Sequence, residues 1–166
     1  MSSTAPVCTS AGTDDRGHDH VLMRNLREGT LIVLYDAHCG FCAVMVAMLL
    51  TWDRARRLDP VRIQSTRGEE LLIDVGRQDR LESWHLVDGA GVVRSGGAAV
   101  PMLFAALPGG APVARVASQF PMTTSRAYEW VAGHRILLGR LLKARLRAWA
   151  ARVIAEHGRS DQVSTS

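Results

Sequence analysis

Residues 31–50 read Leu31-Ile32-Val33-Leu34-Tyr35-Asp36-Ala37-His38-Cys39-Gly40-Phe41-Cys42-Ala43-Val44-Met45-Val46-Ala47-Met48-Leu49-Leu50. The first five form a short apolar, β-branched run bounded by Gly29 and Asp36, the pattern of a buried strand. A helix is expected to follow from about Cys39 to Arg56. Ala43 to Leu50 is apolar on every face, so this helix should be buried. Arg54, Arg56 and Arg57 suit its C-terminal end, where the helix dipole favours cations. Cys39 and Cys42 therefore stand where a strand turns into a helix.

A helix brings residues i and i+3 onto one face, so the two sulfurs can join with little backbone movement. Unpaired N–H groups and the positive dipole end stabilise a thiolate on Cys39, the species that attacks a disulfide. Cys42, deeper in the helix, would then resolve the mixed disulfide. His38 has two readings: a polar loop residue, or an imidazolium that lowers the Cys39 pKa further. Asp36 has two as well: a loop or capping residue, or the group that takes or positions the proton of the resolving thiol. Phe41, where such motifs often carry proline, is expected to pack on or shield the pair. One competing reading is two inert buried thiols. Another is zinc, which needs two more ligands; Cys8, His18 and His20 exist but sit in a polar tail. Ala43 after Cys42 excludes haem c attachment. No cofactor and no metal are expected.

Further along, Asp59-Pro60 reads as a turn and Val61-Arg62-Ile63-Gln64 as a second strand. Glu69 to Val75 reads as a helix. Ser83–Val87 and Gly91–Ser95 flank Asp88-Gly89-Ala90 as a hairpin. Ala98–Leu107 is a helical run stopped by Pro108-Gly109-Gly110, and Val113–Ser118 is a short segment of the same kind. Ser125–Ala132 and Ile136–Glu156 are expected to be helical, either separate or continuous around Gly133. Strand, crossover helix and strand make a right-handed parallel unit, to which the hairpin adds two antiparallel strands. The expected fold is α/β and thioredoxin-like: a central mixed four-stranded sheet with flanking helices and a C-terminal helical extension. The expected division is a disordered tail over 1–28, a redox domain over 29–135, a basic amphipathic helix over 136–157 and a disordered tail over 158–166.

A chain of 166 residues with 47% hydrophobic side chains can bury one real core. Its longest strongly apolar run, Ala43–Trp52, is ten residues, against about 20 for a membrane-spanning helix. The first 25 residues hold Asp14, Asp15, His18, Asp19 and His20 and no apolar stretch, which reads against a secretory signal. The expected location is the cytoplasm, where a C-x-x-C pair is catalytic or metal-binding rather than structural. The net charge is +4, yet Arg135, Arg140, Lys143, Arg145, Arg147 and Arg152 against Glu156 give residues 134–157 alone +5. Lys143 is the single lysine among 20 basic residues, a compositional bias that makes arginine richness poor evidence for phosphate binding. No nucleic-acid partner is expected. Leu138, Leu141, Leu142, Leu146, Trp149 and Val153 form one helical stripe. Either it packs on the domain while the arginines face water, or it docks on an acidic partner or a membrane surface. The second case would make the chain a non-catalytic binding module on a redox-type fold. Met45 and Met48 read as core residues.

Leu34 to Cys42 resembles the signature of the DCC family of thiol-disulfide oxidoreductases, named for an Asp-Cys-Cys pattern. Val61-Arg62-Ile63-Gln64-Ser65 is similar to the family's second strand and its following Gln-Ser. Trp84 to Asp88, Gly91, Gly96 and Ala98 resemble its hairpin and helix entry, and Tyr128, Val131, Ala132 and Arg135 its C-terminal helical pattern. The resemblance spans roughly residues 30–138. It implies a thioredoxin-like fold and disulfide exchange through Asp36, Cys39 and Cys42, with a protein or low-molecular-weight thiol or disulfide as substrate. Ala37 departs from the family's usual glycine. Leu81-Glu82-Ser83 lacks the cis-proline that faces the dithiol in thioredoxins proper, so substrate docking is expected to differ.

Overall fold

The structure, a computed structural model, describes residues 29–163. In chain order its elements are β1 (Leu31–Tyr35), α1 (Gly40–Trp52), β2 (Leu58–Arg62), α2 (Thr66–Leu71), α3 (Arg77–Glu82), β3 (His85–Val87), β4 (Val93–Ser95), a 3-10 turn (Gly96–Ala99), α4 (Val100–Ala106), α5 (Ala111–Gln119), α6 (Pro121–Leu141) and α7 (Ala144–Val163). The sheet order is β2-β1-β3-β4, with β1 and β2 parallel and the remaining pairs antiparallel. This is the thioredoxin-like plan of a mixed four-stranded sheet between helices.

β1 is buried along its whole length, and strand alternation sends its side chains to two cores. Leu31, Val33 and Tyr35 pack with Val46 and Leu50 of α1 and Leu103 of α4. Ile32 and Leu34 pack on the other face with Val61, Ile63 and Leu72. Burying one such side chain stabilises the fold by about 1.5–3 kcal/mol, so β1 is the element around which the rest assembles. α1 is apolar all round because it too is covered twice. Val46 and Leu50 meet the sheet layer, while Val44 and Ala47 meet Ala150 of α7. The cover is incomplete: Met45 and Met48 are 38% and 53% exposed, so neither is the core residue expected.

α1 ends at Trp52, four residues before the expected Arg56. Asp53 caps it: its N–H donates to the Leu49 carbonyl, and its buried Oδ2 accepts the Leu58 N–H at 2.7 Å, turning the chain directly into β2. β2 starts earlier than expected and contains Pro60. The bonds from Leu31 N–H to the Arg57 carbonyl and from Ile63 N–H to the Tyr35 carbonyl aim the odd-numbered residues of β2 at β1. Pro60 thus faces outward on an edge strand, where a missing N–H costs no ladder bond. The hairpin forms as expected, with Asp88 Oδ1 accepting the Ala90 and Val92 N–H groups, both at 3.0 Å. Buried His85 ties it to α3. Its Nε2–H donates to the Arg80 carbonyl at 3.1 Å, which leaves Nδ1 to accept from Ser95 Oγ at 2.7 Å. Burial pushes its imidazolium pKa down, in keeping with a neutral ring between those partners.

The basic C-terminal helix expected over 136–157 is instead divided between two helices. α6 runs unbroken through Gly133, whose missing side chain faces open space. The break falls at Leu142, in extended conformation with φ −73° and ψ 122° and no proline or glycine beside it. Tertiary packing sets it: α7 folds back and lays Trp149, Ala150 and Val153 on α1. The apolar stripe divides accordingly. Leu142, Trp149 and Val153 pack on the domain, while Leu141 is 80% exposed beside exposed Ile136 and Leu137. Residues 158–163, expected within a tail, continue α7. The expected tail over 1–28 lies outside the described residues. No helix among the described residues is long and apolar enough to cross a membrane.

Candidate active site

The loop from β1 ends on Cys39, the N-cap of α1, in extended conformation. Cys39 Sγ accepts the Cys42 N–H at 3.3 Å, the bond a serine or aspartate makes at other helix starts. Both cysteines are half-buried free thiols. The Cys39 thiol is lowered to about 6. The Cys42 thiol donating to it is the largest cause, helped by the Cys42 N–H and by the charge of Arg135, and opposed by burial and by Asp36. Cys42 is pushed strongly upward: its proton is held by the bond to Cys39, by burial and by the negative charge it faces. One environment thus yields a thiolate beside a thiol that keeps its proton.

The loop before the dithiol is held from β2. Asp36 Oδ1 accepts the His38 N–H at 2.9 Å and Gln64 Nε2–H at 2.6 Å, while Gln64 Oε1 accepts the Ala37 N–H at 3.2 Å. Ser65 then caps α2 by accepting the Gly68 N–H, and its hydroxyl donates to the Arg62 carbonyl. Ala37 needs none of glycine's freedom, since Arg56 is the sole non-glycine residue with positive φ among the described residues. The His38 ring is 84% exposed and lies 3.6 Å from the Asp36 carboxylate. The cation whose charge bears on both sulfurs is Arg135 of α6.

α6 and α7 form the roof. A side chain at Gly40 would come within 3.0 Å of Arg147 Cδ, and Gly139 lies against Phe41, so both residues inside the C-x-x-C pair are covered. Beside Cys42 opens a cavity of about 230 Å³. Phe41, Cys42 and Met45 of α1 form one wall and Leu103 and Phe104 of α4 another. Tyr35, Asp36, Ser83 and Trp84 form the sheet side, and Tyr128, Val131, Ala132 and Arg135 close it from α6. No peptide bond among the described residues is cis. The segment before β3 is fastened to α6 instead: Arg135 Nη1 donates to the Leu81 carbonyl at 2.9 Å, and Tyr128 Oη accepts the Trp84 N–H at 3.3 Å.

The structure thus brings Asp36, Cys39 and Cys42 together and turns the His38 side chain outward. Sequence reasoning matched Gln64, Tyr128 and Arg135 to a family pattern without giving them a role. Arg135 lies 93 residues from Cys42 in sequence, and only the tertiary fold carries its charge to the dithiol. Cys8, His18 and His20 lie outside the described residues. No cluster of three His, Cys, Asp or Glu side chains suited to a metal forms among the described ones. Comparison with curated proteins and with solved structures finds no match. The family model of the DCC1-like thiol-disulfide oxidoreductases matches residues 33–141, more than half of this 166-residue chain, and the chain belongs to that family.

Proposed function

We propose that the chain exchanges disulfides in a reducing, cytoplasmic setting, with Cys39 as the attacking thiol and Cys42 as the resolving one. The observation that carries this reading is the geometry of the pair: Cys39 Sγ caps the helix and accepts the Cys42 N–H at 3.3 Å, a setting that lowers the Cys39 thiol to about 6 while Cys42 keeps its proton. In the first step the Cys39 thiolate attacks one sulfur of a substrate disulfide. A Cys39–substrate S–S bond forms, the substrate S–S bond breaks, and one substrate thiolate leaves. Cys42 then gives up its proton and attacks Cys39 Sγ, releasing the second substrate thiolate. Two electrons pass from the dithiol to the substrate; the reverse sequence oxidises a dithiol substrate.

Once Cys39 is tied up in the mixed disulfide its charge no longer holds the Cys42 proton, but burial and the Asp36 charge still disfavour the Cys42 thiolate, so the resolving step calls for a proton acceptor. Asp36 is the proposed acceptor: it lines the cavity with Cys42, its charge bears on both sulfurs, and Gln64 holds its carboxylate in place. His38 is a weaker candidate for tuning Cys39, because its ring faces solvent. Trapping tests the order of attack. In a Cys8→Ser background, the Cys42→Ser variant in cell extract is expected to accumulate thiol-reversible adducts through Cys39, and Cys39→Ser to accumulate none. Adducts on Cys42 in the Cys39→Ser protein would reverse the assignment. The surface-binding alternative rests on exposed Ile136, Leu137 and Leu141 beside Arg140 and Lys143. It requires no thiol, so a chain that traps nothing through either cysteine favours it.

A further inference from the structure

The cavity beside Cys42 and the bonds around it bear on what the dithiol acts upon. An extended peptide docks on a sheet margin by pairing with free main-chain N–H and C=O groups. Along residues 81–84, the segment that leads to the cavity, four of those groups are engaged within the chain. The Leu81 and Glu82 carbonyls accept from Arg135 Nη1 at 2.9 and 3.4 Å. The Trp84 N–H donates to Tyr128 Oη, and the Trp84 carbonyl accepts the Gly96 N–H at 3.1 Å. Tyr128 and Arg135 of α6 thus take up main-chain groups that a docked peptide would need.

What remains open is the cavity itself, about 230 Å³ and walled largely by apolar side chains of α1, α4 and α6. An apolar cavity of roughly 150 Å³ is enough to hold benzene, so this one accommodates a ring with a short substituent. It is smaller than the roughly 300–1,000 Å³ typical of sites for drug-sized ligands. Cys42 and Asp36 stand on its wall, and Cys39 lies one helical turn from Cys42.

We propose that the substrate is a low-molecular-weight disulfide bearing an apolar group of about one aromatic ring, which fills this cavity while its sulfur meets Cys39. The proposal rests on the dithiol reading above and names the substrate class for that same site. Its chemistry is the two-step exchange already written. Cys39 forms a mixed disulfide with the ring-bearing half and releases the other half as thiolate. Cys42 then displaces the ring-bearing thiolate. The dithiol supplies both electrons, so one turnover needs no further reductant.

Single-turnover exchange of the reduced 166-residue chain tests this. The rates with dibenzyl disulfide, bis(2-hydroxyethyl) disulfide and a disulfide-linked pair of short extended peptides are each divided by the rate of glutathione with the same compound. Normalised in this way, the benzyl compound is expected to react roughly tenfold to hundredfold faster than the hydroxyethyl one, the range set by burying one large apolar group. Ala132→Phe, which fills the cavity, should draw that ratio toward one. The wild-type ratio stands alone if that variant does not fold. A normalised ratio within twofold of one, or a preference for the peptide disulfide, overturns the substrate class and leaves disulfide exchange standing. No exchange with any of the three compounds removes the dithiol reading, and this inference with it.

Discussion

Replacing Cys42 by alanine is expected to move the alkylation midpoint of Cys39 upward from about 6, by roughly two pH units toward the 8.5 of an unperturbed cysteine. Only the thiolate reacts with iodoacetamide, so the rate rises with pH through the pKa and levels off above it. In a Cys8→Ser background the rate should be flat above about pH 7. At pH 7 the alanine variant should react about tenfold more slowly. The Cys42 side chain is the largest cause of the lowered value, and alanine removes that donor. What remains is the Cys42 N–H and Arg135 pulling down, against burial and Asp36 pushing up. Cys42→Ser keeps a donor, though a shorter one, and should fall between the two. If the three profiles coincide, the Cys42 thiol does not hold the Cys39 thiolate. If the wild-type midpoint lies near 8.5, the N-cap geometry does not produce a thiolate at all.

A large loss of stability is expected from a side chain at Gly68, in the first turn of α2. A side chain there would collide with the Arg62 carbonyl oxygen and come within 2.9 Å of that of Ile63. Both are backbone atoms at the end of β2 and cannot swing aside. Gly68→Ala must therefore push α2 away from β2. Overpacking of this kind costs about 3 kcal/mol at its upper range. In a domain of this size that lowers Tm by about 6–12 °C. The displaced strand end carries Gln64, which fixes Asp36, so exchange activity should fall even in the folded fraction. Gly133→Ala is the matched control. It lies within α6 and its side chain meets nothing within 4 Å, so it should gain up to about 1 kcal/mol from helix propensity. A Gly68→Ala chain that melts with the wild type would mean that α2 does not rest on that strand end.

The parts of the fold written in local pattern were legible. β1 and α1 announce themselves because both are apolar and buried on two sides, and the hairpin because Asp88 begins a turn with Gly91 at φ +78°. α3 was missed because Arg77-Gln78-Asp79-Arg80-Leu81-Glu82 carries one apolar residue and has no periodicity to read. Pro60 misled because proline usually marks a turn, and only the sheet order reveals an outward-facing edge position. The break at Leu142 has no local signal, since it is made by α7 returning to α1. The site divides in the same way. The dithiol and Asp36 lie within seven residues and could be read directly. The cavity and the charge of Arg135 exist only once α6 crosses the sheet side, and no spacing along the chain reports that.

Cys39 and Cys42 are expected to interconvert between dithiol and disulfide within one chain. Equilibration of the 166-residue chain in glutathione buffers of graded potential, followed by acid quenching and thiol counting, tests this most directly. The three thiols of the reduced chain should fall to one in a single two-electron step, with Cys39 and Cys42 joined in one peptide and Cys8 free. A chain that keeps all three thiols across the range, or that gains glutathione on Cys39 without closing on Cys42, would contradict it.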